Sequence, residues 1–294
     1  MSRLFRLLAP VAALLISACA GSGQAESARP ALWRVSDPDT TIYLFGTIHM
    51  LPSNYRWRTA KFDAALARTD TLVMEIADVG NAAGNAEAYR AVATAAGLPP
   101  ILDRVPADKR AALQAAIDKV GLKPAQLDRL KTWAAALAIG GASSAATGAS
   151  PANGVDKQLG KLFGDAGKPI LGLETTAQQL AYFDTLPEDA QRQLLTGMLD
   201  GASGEADDVT RMIRAWGRGD VRTIAVTFDE ELKLSLTLAD RLIRQRNTAW
   251  TAWIEQRLAT PGIVMVAVGA GHLAGKDSVL EMLKAKGLKV ERLQ

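Results

Sequence analysis

Apolar residues gather along this chain in short, dense runs separated by longer amphipathic stretches. Four runs, Thr41–Phe45, Thr71–Ile76, Pro169–Leu173 and Ile263–Val268, are rich in β-branched residues or leucine. Each is closed by a glycine or a charged residue, the pattern of a strand buried on both faces. A fifth, Leu288–Leu293, alternates polar and apolar positions and predicts an edge strand. Apolar positions at helical spacing predict helices over Trp57–Ala67, Ala107–Val120, Pro187–Leu199 and Val209–Trp216, and one long run from Leu232 to Leu258. Strands separated by helices predict a mixed α/β fold, with a mostly parallel sheet flanked by helices. Residues 82–162 carry no strand pattern and predict a helical insertion or cap, with the small-residue segment GGASSAATGASPANG as a mobile loop.

The first residues follow a different rule. MSRLFR is basic, LLAPVAALLISA is apolar but short for a permanent membrane span, and Ile16-Ser17-Ala18-Cys19 resembles the bacterial lipoprotein processing box. The expectation is a signal peptide over 1–18, a lipidated Cys19 with a flexible tether over 19–30, and a single domain over 31–294. Ala20 after the cysteine, in place of aspartate, points to a periplasmic protein anchored in the outer membrane. Cleavage also removes Arg3 and Arg6, so the formal net charge of +3 falls to +1. The pI near 9.0 is then no sign of a nucleic-acid partner. Cys19 is the only cysteine, so the mature protein has no disulfide of its own and depends on core packing.

Chemistry is concentrated at the ends of the strand runs. The chain has two histidines, His49 and His272, and each stands three residues after a glycine, Gly46 and Gly269, just past a strand. With 25 glycines in 294 residues, chance places both so less than about once in a hundred. Glycine after a strand permits a tight turn, and the carboxyl ends of parallel strands line the crevice where α/β proteins bind ligands. If the first and last of the four strands are neighbours, the two imidazoles converge. Two imidazoles with a carboxylate form a common divalent-metal set. Glu75 and Glu174 end the other two strands and are the candidate carboxylates. Asp156 opens a helix and reads as an N-cap, and Arg246-Asn247 lie in a basic helix able to hold a carbonyl or carboxylate. The sequence carries no Gly-x-Ser-x-Gly elbow and no phosphate-cradling glycine loop, and its one thiol lies in the signal region.

The segments IYLFGTIHMLP, LKTWAAAL, GVDKQL, GKPILGLETTAQQL, MIRAWGRGD, IRQRNTAWTAWI and VAVGAGHLAGKDSVLEML occur in that order. Together they make the chain similar to the TraB/GumN group, whose eukaryotic relatives include the Tiki membrane-anchored metalloproteases. The resemblance implies a fold like the erythromycin esterase/ChaN group and metal-dependent peptide hydrolysis. Manganese or cobalt would be favoured, and zinc also admissible. It makes His49 and His272 the motif histidines and Glu75 the acidic residue; Glu174, Arg246 and Asn247 fall in further shared segments. Gln245 departs from the glutamate that often precedes Arg-Asn in the family. The expected mechanism has the metal polarise a carbonyl and acidify a water. Glu75 or Glu174 serves as base, and Arg246 steadies the oxyanion. Two other readings compete: a metal-free esterase-type hydrolase with a histidine base oriented by a glutamate, and a non-enzymatic binder of haem or another ligand.

Overall fold

A computed structural model describes residues 28–77, 81–199, 205–232 and 235–294. The signal peptide and Cys19 lie outside the described residues. Eight strands are present among them: β1 Leu32–Ser36, β2 Thr40–Thr47, β3 Leu51–Pro52, β4 Thr71–Ile76, β5 Ala149–Ser150, β6 Ile170–Glu174, β7 Gly262–Gly269 and β8 Glu291–Arg292. Six form one sheet in the order β6-β4-β7-β2-β1-β8. The run from β6 to β2 is parallel, and β1 pairs antiparallel with both β2 and β8. Helices cover both faces, so the fold is α/β with a mixed, mostly parallel sheet.

Alternation along the strands divides the core. One face directs Tyr43, Phe45, Leu72, Met74 and Met265 into an aromatic-rich cluster with Trp57, Phe62, Phe163 and Trp216. The other directs Ile42, Leu44, Val73, Val264 and Val266 against Trp250, Ile254 and Leu283. A third core, built from Ile101, Leu113, Ile117, Leu127, Ile139 and Leu195, stands apart from the sheet and supports the inserted helices.

The structure corrects four details of the sequence reading. The apolar run at Pro169–Leu173 is an edge strand rather than a buried one, with Leu171 49% exposed. Part of GGASSAATGASPANG is helical, because the alanine-rich helix Thr132–Ala146 runs through both of its first glycines. Ala149–Ser150 then pairs with Leu51–Pro52 as a small antiparallel ribbon. The long run to Leu258 is not one continuous helix: a helix starts at a Ser235 N-cap and passes through a π-helical turn at Asp240–Arg244 before Gln245–Leu258. Finally, β1 was not read as a strand, since LWRVS is short and lies where a tether was expected to end. The helix Val155–Asp165, inside the segment read as an insertion, packs on the sheet through Val155, Leu159 and Phe163.

Among the described residues, no helix is long and apolar enough to cross a membrane.

Candidate active site

Strands β2 and β7 are hydrogen-bonded neighbours, with Thr47 opposite Gly269. The two Gly-x-x-His turns therefore leave the sheet side by side, at the carboxyl ends of parallel strands. Their conformations differ. After Gly269 the chain winds into a 3₁₀ turn, Ala270–Leu273, which carries the His272 ring into the interior, where the residue is 6% exposed. After Thr47 it runs on towards β3 and leaves the His49 side chain 66% exposed.

Two glycines are required by these close approaches. A Cβ on Gly46 would lie 3.0 Å from the Ala270 Cα. One on Gly269 would lie 3.2 Å from Glu75 Oε1, 3.5 Å from His272 Cδ2 and 3.7 Å from His49 Nε2. The carboxylate and both imidazoles thus meet around one bare Cα. Trp216 fixes the first turn from below by donating its indole N–H to the Gly46 carbonyl at 2.8 Å.

Behind Gly269 lies a buried charge cluster. Arg246 donates from Nε and Nη2 to the two oxygens of Glu174, at 2.8 and 2.9 Å, and from Nη2 to Glu75 Oε2 at 2.6 Å. Its Nη1 donates to His272 Nε2 at 3.1 Å and to the Leu242 carbonyl at 3.4 Å. All five guanidinium N–H groups are occupied within the protein. Trp250, one helical turn after Arg246, packs under the guanidinium at 4.7 Å and donates its own N–H to Glu174 at 3.1 Å. Asn247 Oδ1 accepts from His272 Nδ1 at 2.7 Å, while its Nδ2 donates to the Asp277 carbonyl, which fixes the amide orientation. His272 is therefore the neutral Nδ1–H tautomer with both ring nitrogens satisfied.

His49 has different surroundings. Its Nδ1 lies 2.8 Å from Asp156 Oδ2, and Thr47 donates its hydroxyl to Asp156 Oδ1 at 2.7 Å. Nε2 has no partner among the described residues. Asp156 is thus not the N-cap that its sequence position suggested. Gly154 holds that place, and Asp156 turns back from the first helical turn to the histidine. Gly154 sits so close beneath His49 that a Cβ would overlap the His49 carbonyl oxygen. The next residue, Val155, donates its N–H to the Ile48 carbonyl at 2.9 Å.

The cleft that opens here, about 230 Å³, is lined by His49, Met74, Glu75, Ile76, Asp156 and Gln179. Of the residues that the sequence singled out, His49, Glu75 and Asp156 face it. His272, Glu174, Arg246 and Asn247 form the buried support behind it. Gln179 escaped the sequence reading, and its side chain donates to Glu75 Oε2 at 3.0 Å. The two tryptophans that read as plain core, Trp216 and Trp250, both hydrogen-bond into the site.

Titration follows from these surroundings. The Asp156 charge raises the His49 pKa towards about 9, with water around the exposed ring screening part of that effect. Burial lowers His272 to about 3 despite the facing Glu75. Burial works to raise Glu75, but the facing imidazole, the Arg246 guanidinium and the Gly269 N–H outweigh it and hold it near 2. With His272 neutral at pH 7, the Arg246 charge, the protonated His49 and the Gly269 N–H are the parts that persist.

Two histidines yield two sets of imidazole NMR signals, so the assignment is directly measurable. His49 is expected to titrate above 6.5 and to fall towards 6.5 in Asp156→Asn, while His272 stays neutral throughout the folded range. A His272 that titrates near 6.5 would contradict the buried, doubly bonded ring. The linkage sign is specific too. His272 has a folded pKa below its unfolded value, so its contribution to stability is complete above about 6.5 and fades as pH falls towards 3.

A profile of the TraB/PrgY/gumN family matches residues 31–292, nearly all of the domain. The chain belongs to this family. Relatives include the uncharacterised protein YbaP of Escherichia coli K12 and its counterpart in Shigella flexneri. Each is 26% identical over 242 residues, covering 82% of this chain and 87% of the relative. No solved structure matches the chain. These relatives are themselves uncharacterised, so the likeness to them assigns no activity.

The metal and haem expected from the family resemblance can be tested against the donors. A cation held by both histidines does not fit this arrangement, because the Arg246 guanidinium already occupies His272 Nε2. Among the described residues, no three His, Cys, Asp or Glu side chains group closely enough to hold an ion. His272 offers a haem iron no free nitrogen, whereas Nε2 of the exposed His49 is open.

Proposed function

We propose that this chain is a cell-envelope lipoprotein, anchored through Cys19, whose cleft hydrolyses an acyl bond with His49 as the proton-transferring group. One observation supports the reading above the rest. His49 presents an unpartnered Nε2 to the cleft while Asp156, itself held by Thr47, grips Nδ1. An imidazole oriented by a carboxylate is the arrangement used for general acid–base catalysis. In its neutral form, which gains population as pH rises towards about 9, His49 takes a proton from an attacking water. Asp156 stabilises the imidazolium that results, and the same proton passes to the leaving group, so activity should rise with pH above neutrality. Glu75 is poorly placed to act as base, since one oxygen accepts from the Gly269 N–H and the other from Gln179 and Arg246. Glu174 and Arg246 lie behind the cleft with their groups saturated, so they support the site instead of touching substrate.

A second reading keeps the divalent cation, manganese, cobalt or zinc. Both Nδ1 atoms are tied to oxygen acceptors, which leaves the Nε2 atoms as the ligating positions beside Glu75, as in many metal-bound histidines. It requires Arg246 to withdraw from His272.

Hydrolysis of a peptide and ester panel by the soluble chain from Gly21 onward separates the two. The first reading expects activity to survive chelation and to fall roughly 10²–10⁴-fold in His49→Ala. Loss of activity on chelation, with recovery on adding manganese, would favour the second. Activity unaffected by His49→Ala would end both.

A further inference from the structure

Gln179 lies on the wall of the cleft that His49 also lines, and no reading of the sequence picked it out. Its amide orientation is settled by its partner. The ionised Glu75 carboxylate only accepts, so the nitrogen faces Glu75, at 3.0 Å. One N–H and the Oε1 acceptor are left without a partner among the described residues. The helix that carries it, Thr176–Asp184, is fixed at both ends. Thr175 and Gln178 form a capping box at its start. At its end Asp184 accepts from Lys131 Nζ at 2.6 Å and from the Trp133 indole at 3.2 Å. One turn beyond Gln179, the Tyr182 ring packs against the Arg246 guanidinium at 5.7 Å. The KTW stretch of the sequence therefore holds in place the helix that presents Gln179.

We propose that Gln179 is the residue by which the cleft recognises a peptide group, so that its substrates are amides with an apolar acyl side chain. The free Oε1 of Gln179 can accept from a peptide N–H, and its remaining N–H can donate to the carbonyl of a neighbouring group. An ester has no N–H and leaves Gln179 Oε1 unpaired. Met74 and Ile76 supply an apolar wall for the side chain, and the carboxylates of Glu75 and Asp156 disfavour anions. Recognition of an amide rests on the cleft alone. That the amide is then cleaved rests on the hydrolase reading above.

The probes are N-methyl-4-methylpentanamide and methyl 4-methylpentanoate, which carry the same apolar acyl chain, no other amide, and differ only in N–H against O. Each is titrated into the full mature chain with labelled histidines, and the His49 ring signals report occupancy of the cleft. The wild type is expected to bind the amide about tenfold tighter than the ester. In Gln179→Met that preference should vanish, with unshifted His272 signals showing an intact interior. Equal affinities in the wild type, no saturable shift with either compound, or a preference that survives in Gln179→Met would each overturn the proposal. Turnover of the same amide, measured separately, tests the hydrolase reading, so a chain that binds with discrimination and does not cleave would fail only that one.

Discussion

Arg246→Met is expected to destabilise the folded protein by about 3–5 kcal/mol, the usual cost of leaving buried charges without their partner. The guanidinium neutralises two carboxylates, Glu75 and Glu174, each only 8% exposed, and also occupies the lone pair of His272 Nε2. Methionine fills much of the volume and packs on Trp250, so the loss reports charge and hydrogen bonding more than a cavity. For a domain of this size the melting temperature should drop roughly 10 °C. The pH dependence identifies the cause. In the wild type, Glu75 with its depressed pKa adds stability that is complete above about 4.5 and fades as pH falls towards 2. In the variant that carboxyl has lost its cation and binds its proton more readily, so the gap between the two proteins should narrow as pH falls. Restoring neutrality with Glu75→Gln and Glu174→Gln on the Arg246→Met background should recover much of the loss. Denaturant unfolding at pH 7 within about 1 kcal/mol of wild type would show that the cluster does not depend on its arginine.

Gly154→Ala is the second large effect, and it acts on the cleft. The added Cβ overlaps the His49 carbonyl oxygen, a backbone atom that no rotamer change can move aside. The bond from Val155 N–H to the Ile48 carbonyl must stretch or break, and with it the placement of Asp156 against His49. Any hydrolytic activity should fall about 100-fold or more, since small misplacements of a proton-transfer pair cost that much, with roughly 1–3 kcal/mol of stability lost to overpacking. Gly141→Ala is the matched control. That glycine lies inside the helix Thr132–Ala146, where a Cβ meets nothing within 4 Å, so alanine should stabilise by up to about 1 kcal/mol. Equal rates in Gly154→Ala and wild type, with an unchanged His49 titration, would refute the close-approach argument.

The three central strands β4, β7 and β2 were legible because an apolar run that crosses a two-sided core must be apolar at every position. That condition is local and is written in consecutive residues. It also explains the two misreadings at the sheet's margins. Ile170–Glu174 has the composition of a central strand but lies at the edge, and Leu32–Ser36 has too short an alternation to separate from a tether. The candidate site was legible as far as its two Gly-x-x-His turns and strand-end glutamates, because glycine placement and charge at the end of an apolar run are also local signals.

The division of labour among those residues was not. His49 and Asp156 are 107 positions apart, and Arg246 lies 171 from Glu75. Nothing in the neighbourhood of Asp156 distinguishes a helix cap from the partner of a distant imidazole. Nothing near Arg246 shows that two buried carboxylates wait for it. By itself the sequence determined an α/β sheet with each histidine just past the end of a strand, because strand patterning and turn glycines act over a few residues; that those two strands are neighbours came from the fold. Only the tertiary structure decided that one of those histidines is exposed and gripped by Asp156 while the other is buried, neutral and covered by an arginine. Desolvation and charge pairing are set by whatever packs around a side chain, and that company is assembled from the whole length of the chain.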